Sequence, residues 1–204
     1  MSSTARTLPS WTSDYALLRD RIASFPNQQE IRSVNQAGED VEILRQWPED
    51  SWAAPADAQR LIFLGPPKDS TKAKLQGEGW QHSATMHLLA AKPEDVEQVV
   101  KLPDTSGLFE APMENYDVVE VTDFDRPVAR GRMHFGATYG LLSDPDLFSP
   151  DNPDVARRAV LANFAGAAYS HGLPWLLLVA TEEHAAQLPT GWSKATELTF
   201  WQHN

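Results

Sequence analysis

The stretch from Tyr116 to Trp201 constrains this chain most, because it reads as a hairpin, a strand, one small-residue helix, an apolar strand, a short helix and a last strand. The long helix carries start and stop signals. Asn152 can cap it, Pro153 suits its first position, and Gly172 can end it with Pro174 just beyond. Its alanines and Gly166 leave a narrow profile for close packing on a sheet. Trp175-Leu176-Leu177-Leu178-Val179 follows directly. A helix joined in this way to an apolar strand points to an α/β ligand-binding core.

Bulk properties narrow the classes. With 204 residues, 42% of them hydrophobic, the chain has room for one large domain or two small ones and for a sizeable core. A net charge of -11 argues against a nucleic-acid backbone or an anionic membrane surface as partner. Cysteine is absent, which removes thiolate nucleophiles, disulfides and zinc–thiolate sites together and fits a reducing cytoplasm. No apolar run approaches the ~20 residues of a membrane span. Met1 to Pro9 lacks the apolar stretch of a secretory signal and reads as a loose tail.

Upstream of that stretch the pattern is mixed. Tyr15, Leu17, Leu18, Ile22 and Phe25 predict an amphipathic helix over Ser13 to Phe25, ended by Pro26. Val41 to Leu44 and Leu61 to Leu64 read as strands, the second ended by Gly65-Pro66-Pro67, with loop over Trp47 to Asp57. Ser70 to Leu75 reads as a short helix and Trp80 to Ala91 as a strand. Pro93 to Leu102 reads as a helix with proline and acids in its first turn, followed by a Pro- and Gly-punctuated segment over 103 to 115. Val118 to Val121 and Val128 to Phe135 form a hairpin, and Thr138 to Leu142 a further strand. Leu61 to Leu64, a short helix and Gly79-Trp80 match Leu176 to Val179, a short helix and Gly191-Trp192. Two related half-modules explain the match, and so does coincidence between common βαβ pieces.

Isolated chemistry is sparse. Gly65-Pro66-Pro67-Lys68-Asp69-Ser70-Thr71 lacks the second glycine that a phosphate loop needs directly before its lysine, so it reads as a strand-ending turn. No G-x-G-x-x-G or G-x-S-x-G occurs. The histidines, at 82, 87, 134, 171, 184 and 203, form no metal-ligand spacing, so no metal is expected. Glu120, on a strand, is a general-base candidate only if burial raises its pKa; the plain alternative is a solvent-facing carboxylate.

From Trp80 to Trp201, about three-fifths of the chain, the order of elements resembles the GNAT superfamily of acetyl-CoA-dependent N-acetyltransferases. Met86 to Asp95 is similar to the family's first strand and the start of its first helix, and Tyr116 to Phe135 to its second and third strands. Thr138 to Leu142 stands for the fourth strand, Asp154 to His171 for the cofactor-side helix, Trp175 to Val179 for the fifth strand. Gly191-Trp192 stands where the family has Gly-Phe. The resemblance implies a mixed, mostly antiparallel α/β (α+β) sheet flanked by helices. It divides the chain into residues 1–77, an α/β extension, and 78–204, the GNAT-like domain. The extension reads as a truncated second copy, a lid or a dimerisation arm, and a homodimer suits it.

The resemblance also implies a site. The cofactor would be acetyl-CoA and the acceptor a small-molecule or peptide amine. Backbone amides of Tyr139, Gly140, Leu141 and Leu142 would hold the pantetheine and polarise the thioester carbonyl, and a water or Glu120 would take the amine proton. The family's pyrophosphate motif, Arg or Gln, two residues, Gly, one residue, Gly or Ala, falls on Asn152, Val155 and Arg157. Here the glycines are replaced by bulk, and Asp154 adds a negative charge where the helix dipole would favour an anion. Arg157 and Arg158 are the side chains that would compensate. The family's acid tyrosine falls near Leu188, followed by Pro189, and Tyr169 lies on another helix. The reading is an N-acetyltransferase-like protein with a degenerate cofactor motif; the alternative is a binding or interaction protein that keeps the fold without CoA chemistry.

Overall fold

A computed structural model describes residues 8–49, 51–149 and 153–203. Asn152, the expected helix cap, and residues 1–7 of the expected tail lie outside the described residues. The chain divides into two compact units, Met1–His87 with Thr196–Asn204, and Leu88–Ala195. The sequence pattern places the boundary after residue 77. Trp80 and Trp201 account for the later division, because both belong to the apolar core around Trp47 and Phe63 in the first unit.

The first unit opens with helix α1 (Trp11–Leu18), then strands β1 (Ile22–Asn27), β2 (Glu30–Val34), β3 (Glu42–Gln46) and β4 (Arg60–Leu64), helix α2 (Asp69–Gly77) and the start of strand β5 (Trp80–Ala91). β1 and β2 form a hairpin, β2 runs antiparallel to β3, and β3 runs parallel to β4. The final strand, β12 (Ser193–His203), returns antiparallel to β4 with Trp201 opposite Leu61. The helix expected over Ser13 to Phe25 stops at Leu18. Asp20 takes a positive φ of 57° and turns the chain into β1. Arg21 is then buried, bonding Ser33 Oγ at 3.0 Å and Asp40 at 3.1 Å. Ile22 and Phe25, which the helical period assigned to a core face, are exposed on β1.

The second unit holds the end of β5, then β6 (Ser106–Pro112), β7 (Asp117–Asp123), β8 (Arg126–Phe135), β9 (Tyr139–Ser143), the short β10 (Asp146–Leu147), α3 (Pro153–Ser170), β11 (Trp175–Thr181), α4 (Glu182–Gln187) and the start of β12. Its strands lie in the order β5-β11-β9-β8-β7-β6, with β10 beside β8. The expected helix over Pro93 to Leu102 is reduced to one 3-10 turn, Pro93–Asp95. The chain leaves the turn in extended backbone at Val96, with φ -94° and ψ 142°, and Val96 packs into the core while Val99 is exposed. The punctuated segment after it contains β6, an edge strand that pairs with β7 from Ser106 to Pro112. Pro112 is tolerated at its end, where the ladder stops.

α3 carries the core of this unit. Its C-terminus closes as the sequence predicts: Gly172 has φ 67°, Leu173 N–H donates to Ala168 O at 3.0 Å and Gly172 N–H to Tyr169 O at 3.0 Å. Ala156, Ala159, Val160, Phe164 and Ala168 face the sheet with Ala129, Met133, Leu142, Leu176 and Leu178. The helix lies close because β8 offers no side chain at Gly131: a Cβ there would collide with Val160 Cγ1 and stand 2.9 Å from Phe164 Cε2. Gly131→Ala should therefore destabilise the protein by about 1–3 kcal/mol through overpacking, read as a lower urea midpoint. An unchanged midpoint would show that α3 sits further from β8.

Candidate functional site

The parallel pair β9–β11 fixes where a site in the second unit can lie. The two strands run in register from Tyr139 opposite Trp175 to Ser143 opposite Val179. Parallel strands bring their C-terminal ends to one edge, where ligands of open α/β sheets gather. Here that edge is closed by side chains. Asp144 follows β9 directly, and α4 follows β11. Thr181 caps α4 by accepting the His184 N–H at 3.2 Å. That turn sets His184 Nδ1 in a short hydrogen bond with Asp144 Oδ2. From α3, Arg157 Nη1 donates to Gln187 Oε1 at 2.8 Å, and its Nε stands 3.9 Å from Asp144 Oδ1. Arg157 is only 5% exposed, and its Nε has no hydrogen-bond partner among the described residues.

The residues expected to form a cofactor site are not brought together. Gly140 to Leu142 are flanked by β8 on one side and β11 on the other. Their backbone donors and acceptors therefore belong to sheet ladders rather than to an open edge that could pair with pantetheine. Tyr139 is buried opposite Trp175. Val155 borders a niche of about 40 Å³ with Leu102, Val121 and Val128. Arg158 points away from Arg157, its Nε 2.9 Å from Glu97 Oε2 and its Nη2 2.6 Å from Glu97 Oε1. Hydrogen bonding to Arg158 lowers the Glu97 pKa, and the same bond raises that of Arg158.

Glu120 lies opposite Arg130, whose Nε donates to its Oε2 at 2.9 Å. Arg130 also covers the Phe148 ring at 5.6 Å. Ala129 and Met133 point into the core under α3, so Arg130 and its partner Glu120 occupy the other face of the sheet. Glu120 is thus an ion-paired strand residue, on the face opposite α3 and Arg157.

A CoA pyrophosphate does not fit this arrangement. The guanidinium of Arg157 is held by Gln187 and Asp144 rather than presented to a ligand. The Asp144 carboxylate would add repulsion to any phosphate entering beside it.

Comparison with known structures defines the fold. A GCN5-related N-acetyltransferase from Kribbella flavida matches with a TM-score of 0.62 at 11% identity, over 93% of this chain and 91% of that one. One from Sphaerobacter thermophilus matches with a TM-score of 0.57 at 11% identity, over 92% and 84%. A tandem GNAT protein from the clavulanic acid biosynthesis pathway matches with a TM-score of 0.55 at 10% identity, over 84% and 77%. The chain has the GNAT fold. No protein-family model matches it, and no curated protein does either.

Within the GNAT fold, the residues that sequence reasoning missed are Asp144 and His184. They are far apart in the chain, and only the parallel pairing of β9 and β11 joins them. The sole local signal was the Thr181 cap, which fixes the direction of α4. Among the described residues no group of three or more His, Asp or Glu is placed to hold a metal ion, and no helix is long and apolar enough to cross a membrane.

The network makes a stability prediction. Arg157→Met keeps most of the apolar stem but removes the charge that faces Asp144 and the donor to Gln187. It should cost about 1–3 kcal/mol in urea unfolding, whereas Arg158→Met leaves the midpoint near that of the parent protein. Equal effects of the two substitutions would show that Arg157 is not a buried strut.

Proposed function

We propose that this protein keeps the N-acetyltransferase fold as a binding scaffold and that its second unit holds acetyl-CoA weakly or not at all. The observation that carries this reading is Arg157. Its charge is turned inward onto Asp144 and Gln187, at a position where the resemblance to the family would place a motif glycine. A buried guanidinium with a carboxylate beside it is costly to separate, because each charge would lose its partner in a poorly hydrated place. The flanked backbone of Gly140 to Leu142 supports the same conclusion.

A second reading, N-acetyl transfer to a small-molecule or peptide amine, is favoured by the Asp144–His184 pair. A carboxylate on Nδ1 fixes the imidazole tautomer and leaves Nε2 as a proton acceptor, the arrangement of a general base. On this reading His184 takes the amine proton in place of Glu120, which Arg130 holds.

Residues 1–77 we read as a partial second copy. Each unit contains a hairpin, a third strand antiparallel to it, a fourth parallel to the third, a short helix and a further strand. Gly79 and Gly191, which precede those last strands, both have positive φ, 89° and 112°. Among the described residues the first unit shows no counterpart of α3 between β3 and β4.

Calorimetric titration with acetyl-CoA, joined to a thiol-release assay over a panel of amines, separates the two functional readings. Binding weaker than about 1 mM, near −4 kcal/mol, with no thiol released, is the expected result. Micromolar binding with amine-dependent release that His184→Ala abolishes would establish the transferase.

A further inference from the structure

The first unit has its own parallel pair, and its C-terminal ends are open. β3 and β4 run in register from Glu42 opposite Arg60 to Gln46 opposite Leu64. Beyond them lies a cavity of about 690 Å³ bordered by Arg45, Gln46, Trp47, Leu64, Lys68 and Thr196. That volume suits a small organic molecule, and the carboxyl end of parallel strands is where such ligands collect.

The walls are fixed and the polar groups are under-used. Trp47 stacks on Phe63 with ring centroids 4.7 Å apart, and its Nε1–H donates to Gly65 O at 3.0 Å. Arg45 is held by a 3.3 Å bond from Nε to Gln46 O and another from Nη1 to Glu30 Oε2, with its guanidinium 4.6 Å from the Trp52 ring centre. Its Nη2 makes no hydrogen bond with the described residues. Burial lowers the Arg45 pKa despite Glu30, so the charge is incompletely compensated. Lys68 Nζ reaches Pro48 O and Glu49 Oε1, each at 3.3 Å, and Glu49 is itself largely in solvent. The Gln46 amide and the Thr196 hydroxyl have no side-chain hydrogen bond among the described residues either. Two cationic donors, the amides of Gln29 and Gln46, one hydroxyl and a single carboxylate, Glu49, which Lys68 already holds, thus border a cavity with indole and aliphatic walls, in a chain whose net charge is -11.

We propose that this cavity is a binding site for a small organic anion, a carboxylate or phosphate group on a compact apolar body, with Arg45 and Lys68 as the groups that select its charge. The Arg45 fork, pre-set by Glu30 and Trp52, presents one free edge to an oxyanion. The cavity is larger than an oxyanion alone, so Trp47 and Leu64 are left to cover the body of the ligand. This site is separate from the proposal about acetyl-CoA: it lies wholly in the first unit and stands or falls without it.

The test is a protein-detected NMR titration of the full chain, following the Trp47 indole N–H, assigned with Trp47→Phe. The probes are benzoate, phenyl phosphate, inorganic phosphate and benzylamine. Benzoate or phenyl phosphate should shift the Trp47 signal saturably, the tighter of the two naming the head group, while benzylamine does not. Arg45→Gln and Lys68→Gln should each weaken binding about tenfold or more, and Arg158→Gln should not. If Arg45→Gln fails to fold because Glu30 loses its partner, exposed Lys68→Gln still decides. No saturable shift, an equal response to benzylamine, inorganic phosphate binding as tightly as phenyl phosphate, or indifference to Lys68→Gln would each overturn the proposal.

Discussion

The close seating of α3 on β8 is the constraint on which the second unit depends. It rests on an absence, the missing side chain of Gly131, into whose place Val160 and Phe164 reach. Gly140 plays a similar part on β9, where Met133 Sδ would stand 2.8 Å from an added Cβ. With the helix held there, the chain can cross from β9 to β11 and lay them parallel, which no short turn can do. The same seating fixes the first turn of α3, and with it the direction in which Arg157 points.

Two parallel pairs in one chain end in different chemistry. At the ends of β9 and β11, Arg157 bonds Gln187 and stands beside Asp144, which in turn bonds His184. A ligand entering there would have to part the Asp144 carboxylate from a buried guanidinium, and breaking such a pair costs more than forming it gained. Between β3 and β4 no helix occurs among the described residues, and Arg45 and Lys68 retain donors that those residues do not occupy. Fold likeness to N-acetyltransferases describes the scaffold, and these side chains decide which of its two strand ends can take a ligand.

Much of the scaffold was legible because its signals are local. Pro153 and Gly172 bracket α3, Leu61 to Leu64 and Trp175 to Val179 are compact apolar runs, and Trp80 to Ala91 is a strand over the predicted span. The errors came where periodicity was read without knowing which face meets a core. Ile22 and Phe25 completed a helical stripe on paper yet face solvent on β1, while the proline and acids that predicted a helix over Pro93 to Leu102 start only one 3-10 turn. The site was less legible still. Val155 and Arg157 drew attention as bulk where the resemblance expects glycine, but the carboxylate beside Arg157 follows another strand. Asp144 and His184 meet only through the register of β9 and β11. Lys68 drew notice as a failed phosphate loop, while Arg45, its neighbour across the cavity mouth, sits in a strand that carried no motif.

The central claim is that the backbone of β9 belongs to the sheet and is closed to a cofactor. Amide hydrogen exchange at Gly140, Leu141 and Leu142, measured with and without millimolar acetyl-CoA, tests it most directly. The account predicts strong protection that acetyl-CoA leaves unchanged, because β8 and β11 already hold these groups. Weak protection in the free protein that rises sharply on adding acetyl-CoA would contradict it, since the strand edge would then be open and the cofactor would be filling it.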